Sequence, residues 1–109
     1  MKESIIQRSI LDWLELYSRT ENIYYFRAGS GKIRITQNRY FSSGKPGVPD
    51  ILVCFGSRFI GMEVKNEKGR QSKIQKVAEK EIKEAGGEYY IVRSISDVKK
   101  ILAKQEQTI

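Results

Sequence analysis

The sequence predicts an α/β fold, a mixed β-sheet flanked by helices in the order α-β-β-β-β-α-β-α. Three observations carry that prediction. Two apolar, β-prone runs, 51–55 and 59–64, flank the pair Gly56-Ser57, a hairpin signal in which Gly supplies the positive φ of a tight turn. Helical spacing over 74–85 leads into a strand-like run at 89–93, so residues 59–93 read β-α-β and favour a parallel crossover. An amphipathic helix precedes the first strand, and helices must bury their apolar stripes on the faces of a sheet.

The elements follow in order. Over residues 4–17, Ile6, Ile10, Trp13, Leu14 and Tyr17 recur at helical spacing, which places Trp13 on the core stripe. Ser4 with Gln7 fits a capping box and would start the helix at Ser4, leaving Glu3 just ahead of it. Residues 23–28 read as a first strand. The next four residues, Gly29-Ser30-Gly31-Lys32, superficially suggest a phosphate-binding loop. Phe26 and Ile33 stand where that loop requires Gly and Ser or Thr, so the stretch is a turn. A second strand at 33–36 leads into a basic, polar connection to residue 46, read as a mobile loop. Its cations Lys32, Arg34, Arg39 and Lys45 suit phosphates and its Tyr40 and Phe41 suit stacking on bases, although a solvated connection explains them equally well.

Cys54, inside the strand 51–55, reads as a small buried hydrophobe. Beyond the hairpin, Ile74, Val77, Ala78, Ile82 and Ala85 form the apolar stripe of a second helix, with Ser72 and Gln75 fitting a capping box and Gly86-Gly87 ending it. Lys73, Lys76, Lys80 and Lys83 crowd its remaining surface. The run 89–93 is apolar at its centre and reads as an interior strand. Ser94 or Ser96 caps a last helix carrying Val98, Ile101 and Leu102, and the tail from Gln105 reads as unstructured.

A chain of 109 residues is expected to form one domain over 1–109. Its single cysteine cannot form an internal disulfide, no apolar run reaches membrane-spanning length, and no signal-peptide layout begins the chain. These features suggest a soluble intracellular protein, cytoplasmic or nucleoplasmic, with no membrane partner. The net charge of +7 points to polyanions, nucleic acid above all. Histidine is absent, which removes His-based acid–base catalysis, Ser-His and Cys-His nucleophiles and His-ligated zinc.

The hairpin concentrates what chemistry remains. With a two-residue loop Phe55 faces Arg58, and counting back sets Asp50 opposite Glu63, with Cβ atoms about 4.5–5.5 Å apart. Lys65, two residues beyond Glu63, leaves the same face. Like charges opposite one another call for a cation. Two carboxylates without histidine suit Mg²⁺, which keeps several waters and takes phosphate oxygens for its other positions. A metal there could generate and position hydroxide and stabilise the charge on a scissile phosphate, while Lys65 orients or deprotonates the water or steadies the pentavalent phosphate. A salt bridge between Lys65 and Asp50 or Glu63 at the sheet edge is the structural alternative.

Pro49-Asp50 followed by Glu63-Val64-Lys65 on the next strand resembles the PD-(D/E)XK nuclease signature. Several further stretches narrow the resemblance to a stand-alone VRR-NUC domain. They are Arg27-Ala28-Gly29-Ser30-Gly31, Gly47-Val48-Pro49-Asp50, Ser72-Lys73-Ile74-Gln75, Ala85-Gly86-Gly87 and Val92-Arg93-Ser94 with Asp97. The resemblance implies a restriction-endonuclease-like core and phosphodiester hydrolysis dependent on Mg²⁺ or Mn²⁺. It implies Asp50, Glu63, the Val64 carbonyl and Glu3 as metal ligands, and Lys65 and Gln75 as further catalytic residues. Arg27 becomes a phosphate contact, and Lys73 joins the loop cations as a nucleic-acid contact. Compact members of this branch are similar to Holliday junction resolvases, which implies a homodimer cutting branched DNA such as four-way junctions. Two other functions stay open: a nucleic-acid-binding module that has lost catalysis, and a flap, restriction-like or RNA-directed nuclease.

Overall fold

The computed structural model describes residues 1–29, 32–37, 39–42 and 45–104. Helix α1 (Glu3–Tyr17) leads into strand β1 (Ile23–Arg27), followed by β2 (Lys32–Thr36), β3 (Arg39–Ser42), β4 (Ile51–Phe55) and β5 (Arg58–Val64). Helix α2 (Lys73–Glu84), strand β6 (Glu88–Val92) and helix α3 (Ile95–Ala103) follow. The main sheet has the order β1-β4-β5-β6. Its first two pairings are antiparallel, and β5–β6 is parallel, as a β-α-β crossover through α2 requires. The predicted mixed sheet and hairpin are both present. Phe55 pairs with Arg58, and Gly56 and Ser57 hold φ of 57° and 64°, so the two-residue turn matches the right-handed strand twist.

One face of the sheet carries the core. Ile51, Val53, Ile60, Met62, Val64 and Val92 alternate inward against Ile6, Ile10 and Leu14 of α1 and Val98, Ile101 and Leu102 of α3. Trp13 is half-buried at the margin of this cluster, stacked on Tyr17 with ring centroids 4.7 Å apart.

Several expectations are corrected. Residues 39–42 are a strand, paired with β2 as a separate two-stranded ribbon, rather than part of a mobile loop. The charged composition of this stretch masked a β-prone Tyr-Phe pair. Cys54 is exposed, because the strand alternation turns it away from Val53 and the core. Strand β6 lies at the sheet edge; it is apolar because helices cover its faces, not because strands flank it. Ala78 is the one buried residue on α2, while Ile74 and Val77 are exposed. Helix α1 starts at Glu3 with Lys2 as its N-cap, and no side chain caps it, so the Ser4–Gln7 box does not form. Its first turn thereby gains a carboxylate. The predicted box on α2 does form, and Ser94 rather than Ser96 caps α3. The turn residues Ser30 and Gly31 and the tail 105–109 lie outside the described residues.

Candidate active site

The open end of the β4–β5 hairpin gathers the acids. Ile51 pairs with Met62, which carries the register on to Asp50 and Glu63 as the turn length predicts. Asp50 is tied down twice. Its Oδ2 accepts the Val64 backbone N–H at 2.8 Å, and its carbonyl accepts that of Ala28 at 2.8 Å. The second bond ties the end of β1, and with it Arg27, to the Asp50 backbone.

Glu63 is only 3% exposed. Its Oε2 accepts from Gln75 Nε2 at 3.0 Å and lies 3.7 Å from Lys65 Nζ, while its Oε1 is buried without a donor. Burial, followed by the nearby Asp50 carboxylate, pushes the Glu63 carboxyl up to about 8, against a partial offset from Lys65. A buried carboxylate oxygen with no donor and a neighbouring acid is the environment a cation relieves.

Gln75 shows why sequence spacing matters here. Its Oε1 accepts the Ser72 N–H at 2.9 Å while its own N–H bonds Ser72 Oγ at 3.2 Å. With the amide oxygen committed to the helix cap, the amide NH₂ is turned toward Glu63. One side chain both caps α2 and holds the acid.

Gly47 joins the same two elements. Its φ is 77°, and a Cβ there would stand 2.5 Å from the Ile74 carbonyl oxygen in the first turn of α2. Gly47→Ala is expected to cost roughly 2–4 kcal/mol, from left-handed strain plus overpacking against helix backbone. It also moves the 47–50 segment away from Gln75. Thermal melts and cleavage assays check this, and unchanged stability would refute it.

The other expected site residues divide. Lys65 is buried, and its N–H bonds the Val92 carbonyl at 3.0 Å. Val64 ends β5 with its side chain in the core. Glu3 is half-buried in the first turn of α1, and its Oε2 accepts the Asn66 N–H at 3.4 Å; its charge helps raise the Glu63 carboxyl. Lys73 is exposed at the start of α2, two residues before Gln75. Lys45 is drawn elsewhere, with Nζ 3.2 Å from Glu81 Oε2 on α2. The side chains of Lys32, Arg34 and Arg39 lie outside the described residues. Sequence reading passed over the contact between Arg93 and the 66–69 loop, which only sheet pairing brings beside the site.

Among the described residues, no three His, Cys, Asp or Glu side chains converge as a metal cage. The donor set nonetheless fits a hard dication, which needs one or two carboxylates and fills its other positions with water and substrate oxygens. Asp50 and the unpartnered Glu63 oxygen supply that pair.

The raised Glu63 carboxyl has a measurable consequence. Between pH 4.5 and about 8 the folded protein holds a proton that an ordinary Glu has released. In chelator, that contribution to stability is fully present below pH 4.5 and is lost as pH rises toward 8. Melting temperatures of wild type relative to Glu63→Gln are expected to fall over this range. A flat difference would refute the shift.

The chain is an α/β protein with a mixed sheet, and an acidic pair and a lysine gather at one hairpin end. A solved structure described as a VRR_NUC domain aligns with a TM-score of 0.58, covering 86% of this chain and 90% of that chain at 17% sequence identity. The chain has the VRR_NUC fold. No family model matches the sequence, and neither does any curated protein.

Proposed function

We propose that the chain is a nuclease that hydrolyses phosphodiester bonds in DNA with Mg²⁺ or Mn²⁺, acting as a single domain over residues 1–109. The observation that carries this reading is the buried Glu63 carboxylate, short of one donor, beside Asp50 and Lys65 at the end of a hairpin. Asp50, Glu63 and the Val64 carbonyl would hold the cation, with Glu3 nearby. When bound, the dication supplies Lewis-acid stabilisation of phosphate charge and lowers the pKa of a bound water.

The chain's own groups do the positioning. The Val64 N–H holds Asp50, and Gln75 holds Glu63, so neither carboxylate must reorganise as substrate enters. Lys65, kept beside Glu63, is a fixed positive charge for the phosphorane and for the attacking water. In the reaction the water oxygen bonds phosphorus, one bridging ester oxygen leaves, and the water's proton passes to solvent or to the leaving oxygen. Arg27, at the end of β1, and Lys73, at the start of α2, would serve as phosphate contacts, with Lys32, Arg34, Arg39 and Lys45 adding to the basic character of the chain.

The finer reading is structure-selective cutting of branched DNA by a homodimer in an intracellular compartment. Among the described residues no helix is long and apolar enough to cross a membrane. At fixed salt, duplex, flap, fork, four-way junction and RNA substrates are to be compared with Mg²⁺, Mn²⁺ or chelator, alongside sedimentation of the protein. Metal-dependent cutting with preference for the junction, by a dimer, is the expected result. Cutting in chelator would overturn the metal requirement, equal cutting of every DNA the selectivity, and a strict monomer the paired mechanism. DNA binding without cutting would leave a binding module.

A further inference from the structure

We propose that Arg93 and Gly69 are positioning residues that hold Glu3 at the metal site, an inference that rests on the metal-dependent nuclease reading. Loop 66–69 follows Lys65 directly and lies against the first turn of α1. Arg93 Nη1 donates to two of its carbonyls, that of Asn66 and that of Gly69 at 3.2 Å. Arg93 is anchored in turn, its N–H bonded to Asp97 Oδ2 at 2.9 Å, while the Asp97 N–H bonds the Ser94 cap. The loop is shaped from within as well: Asn66 Oδ1 accepts the Lys68 N–H at 3.0 Å, and the Gly69 N–H reaches the Asn66 carbonyl at 3.2 Å.

Glu3 receives the result. The Asn66 N–H points at its Oε2, and Gly69 leaves open the volume that this oxygen fills. A Cβ on Gly69 would stand 2.5 Å from Glu3 Oε2 and 3.2 Å from Lys65 Cδ. The colliding atom is the far end of a flexible side chain, so an added methyl displaces the Glu3 carboxylate and leaves the fold standing. Arg93 thus sets where the loop lies, and Gly69 sets whether the carboxylate fits beneath it. A phosphate-binding role for Arg93 competes with this assignment, and it makes a different demand: it alters DNA affinity and leaves metal affinity alone.

Calorimetric titration of MnCl₂ into the full chain without DNA, at fixed pH and salt, separates the two. Glu3→Gln and Gly69→Ala are each expected to weaken Mn²⁺ binding by about tenfold, and Arg93→Gln by a similar factor, the usual cost of losing a supporting group around a metal ligand. The Glu3→Gln/Gly69→Ala double variant is expected to bind no more weakly than Glu3→Gln alone. Arg93→Lys is expected to rescue in part, because both carbonyls accept from the single nitrogen Nη1 and an ammonium also carries donors enough for two. Wild-type affinity in both Gly69→Ala and Arg93→Gln, or additive losses in the double variant, overturns the assignment. If Gly69→Ala fails to fold, Arg93→Gln set against Glu3→Gln decides. Loss of Mn²⁺ binding in Asp50→Asn with unchanged binding in Gly69→Ala and Arg93→Gln refutes only the positioning role. Absence of Mn²⁺ binding by the wild type refutes the metal-site reading and this inference with it.

Discussion

Asp50→Asn is expected to abolish cleavage, by about 10³-fold or more, while making the cation-free protein more stable. Asn keeps a side-chain oxygen that can accept the Val64 N–H, which in the wild type meets Asp50 Oδ2 at 2.8 Å. It also removes a negative charge beside Glu63 and offers an NH₂ group near a buried acid short of a donor. Relief of that conflict is worth on the order of 1 kcal/mol, the scale of one added hydrogen bond. Rate suffers because a carboxylate that anchors the cation is gone, and loss of a preorganised charge-stabilising group costs about 10²–10³ even when the rest of a site survives. Lys65→Ala is expected to lose activity on a similar scale with Mn²⁺ binding retained. Thermal melts in chelator, Mn²⁺ titration and initial cleavage rates check these outcomes together. Undiminished cutting by both folded variants would sink the nuclease assignment at these residues.

Arg58→Met is expected to destabilise the fold by about 3 kcal/mol, with no direct effect on the site. Arg58 begins β5, is 8% exposed, and forks onto Glu88 with Nε–Oε2 of 2.7 Å and Nη2–Oε1 of 2.8 Å. It also donates to the carbonyls of Ile101 at 3.0 Å and Lys104 at 2.9 Å, closing the C-terminal end of α3. Tyr90 completes the cluster through its hydroxyl, which donates to Glu88 Oε1 at 2.6 Å. Met fills a similar volume and leaves Glu88 without its counter-ion, an imbalance that costs roughly 3–5 kcal/mol where the pair is fully buried. Partial exposure of Glu88 puts the expectation at the low end. For a domain of this size that corresponds to a fall in Tm of roughly 12–24 °C. Arg58 holds the Glu88 carboxyl below the usual range. The pair's contribution is therefore present above the ordinary Glu value and lost as pH falls through the lowered one, so the gap between wild type and variant narrows in acid. A loss under about 1 kcal/mol, the scale of a surface ion pair, would show that the cluster is not buried in its effect.

Much of the candidate site's geometry is legible because it depends on short-range rules. A two-residue turn sets the ladder, and the ladder, carried one step past Ile51 and Met62, sets Asp50 against Glu63 a whole strand β4 away from the turn. Ser72 and Gln75 are three residues apart, so the capping box could be read directly, and its geometry then aims Gln75 at Glu63. The α1 start was misread for a related reason. Ser4–Gln7 satisfies the same spacing rule, yet the helix begins one residue earlier, where Glu3 gains a bond to Asn66 sixty-three positions away. A local rule cannot weigh a partner that distant.

The amino-acid sequence by itself determined the α/β class, the hairpin with its turn, the parallel crossover and the set of chemistries open to a chain without histidine. Each of these follows from periodicity, turn residues or composition, which act over a few positions. Only the tertiary structure decided that β6 is an edge strand, that Cys54 faces outward and that Ile74 and Val77 stay exposed. Those facts depend on which faces the helices cover, and an apolar run looks the same whether strands or helices bury it. The same holds for the meeting of Glu3, Gly69 and Arg93. Three residues on α1, a loop and the end of β6 converge because the parallel β5–β6 pairing brings chain segments together that no spacing in the sequence connects.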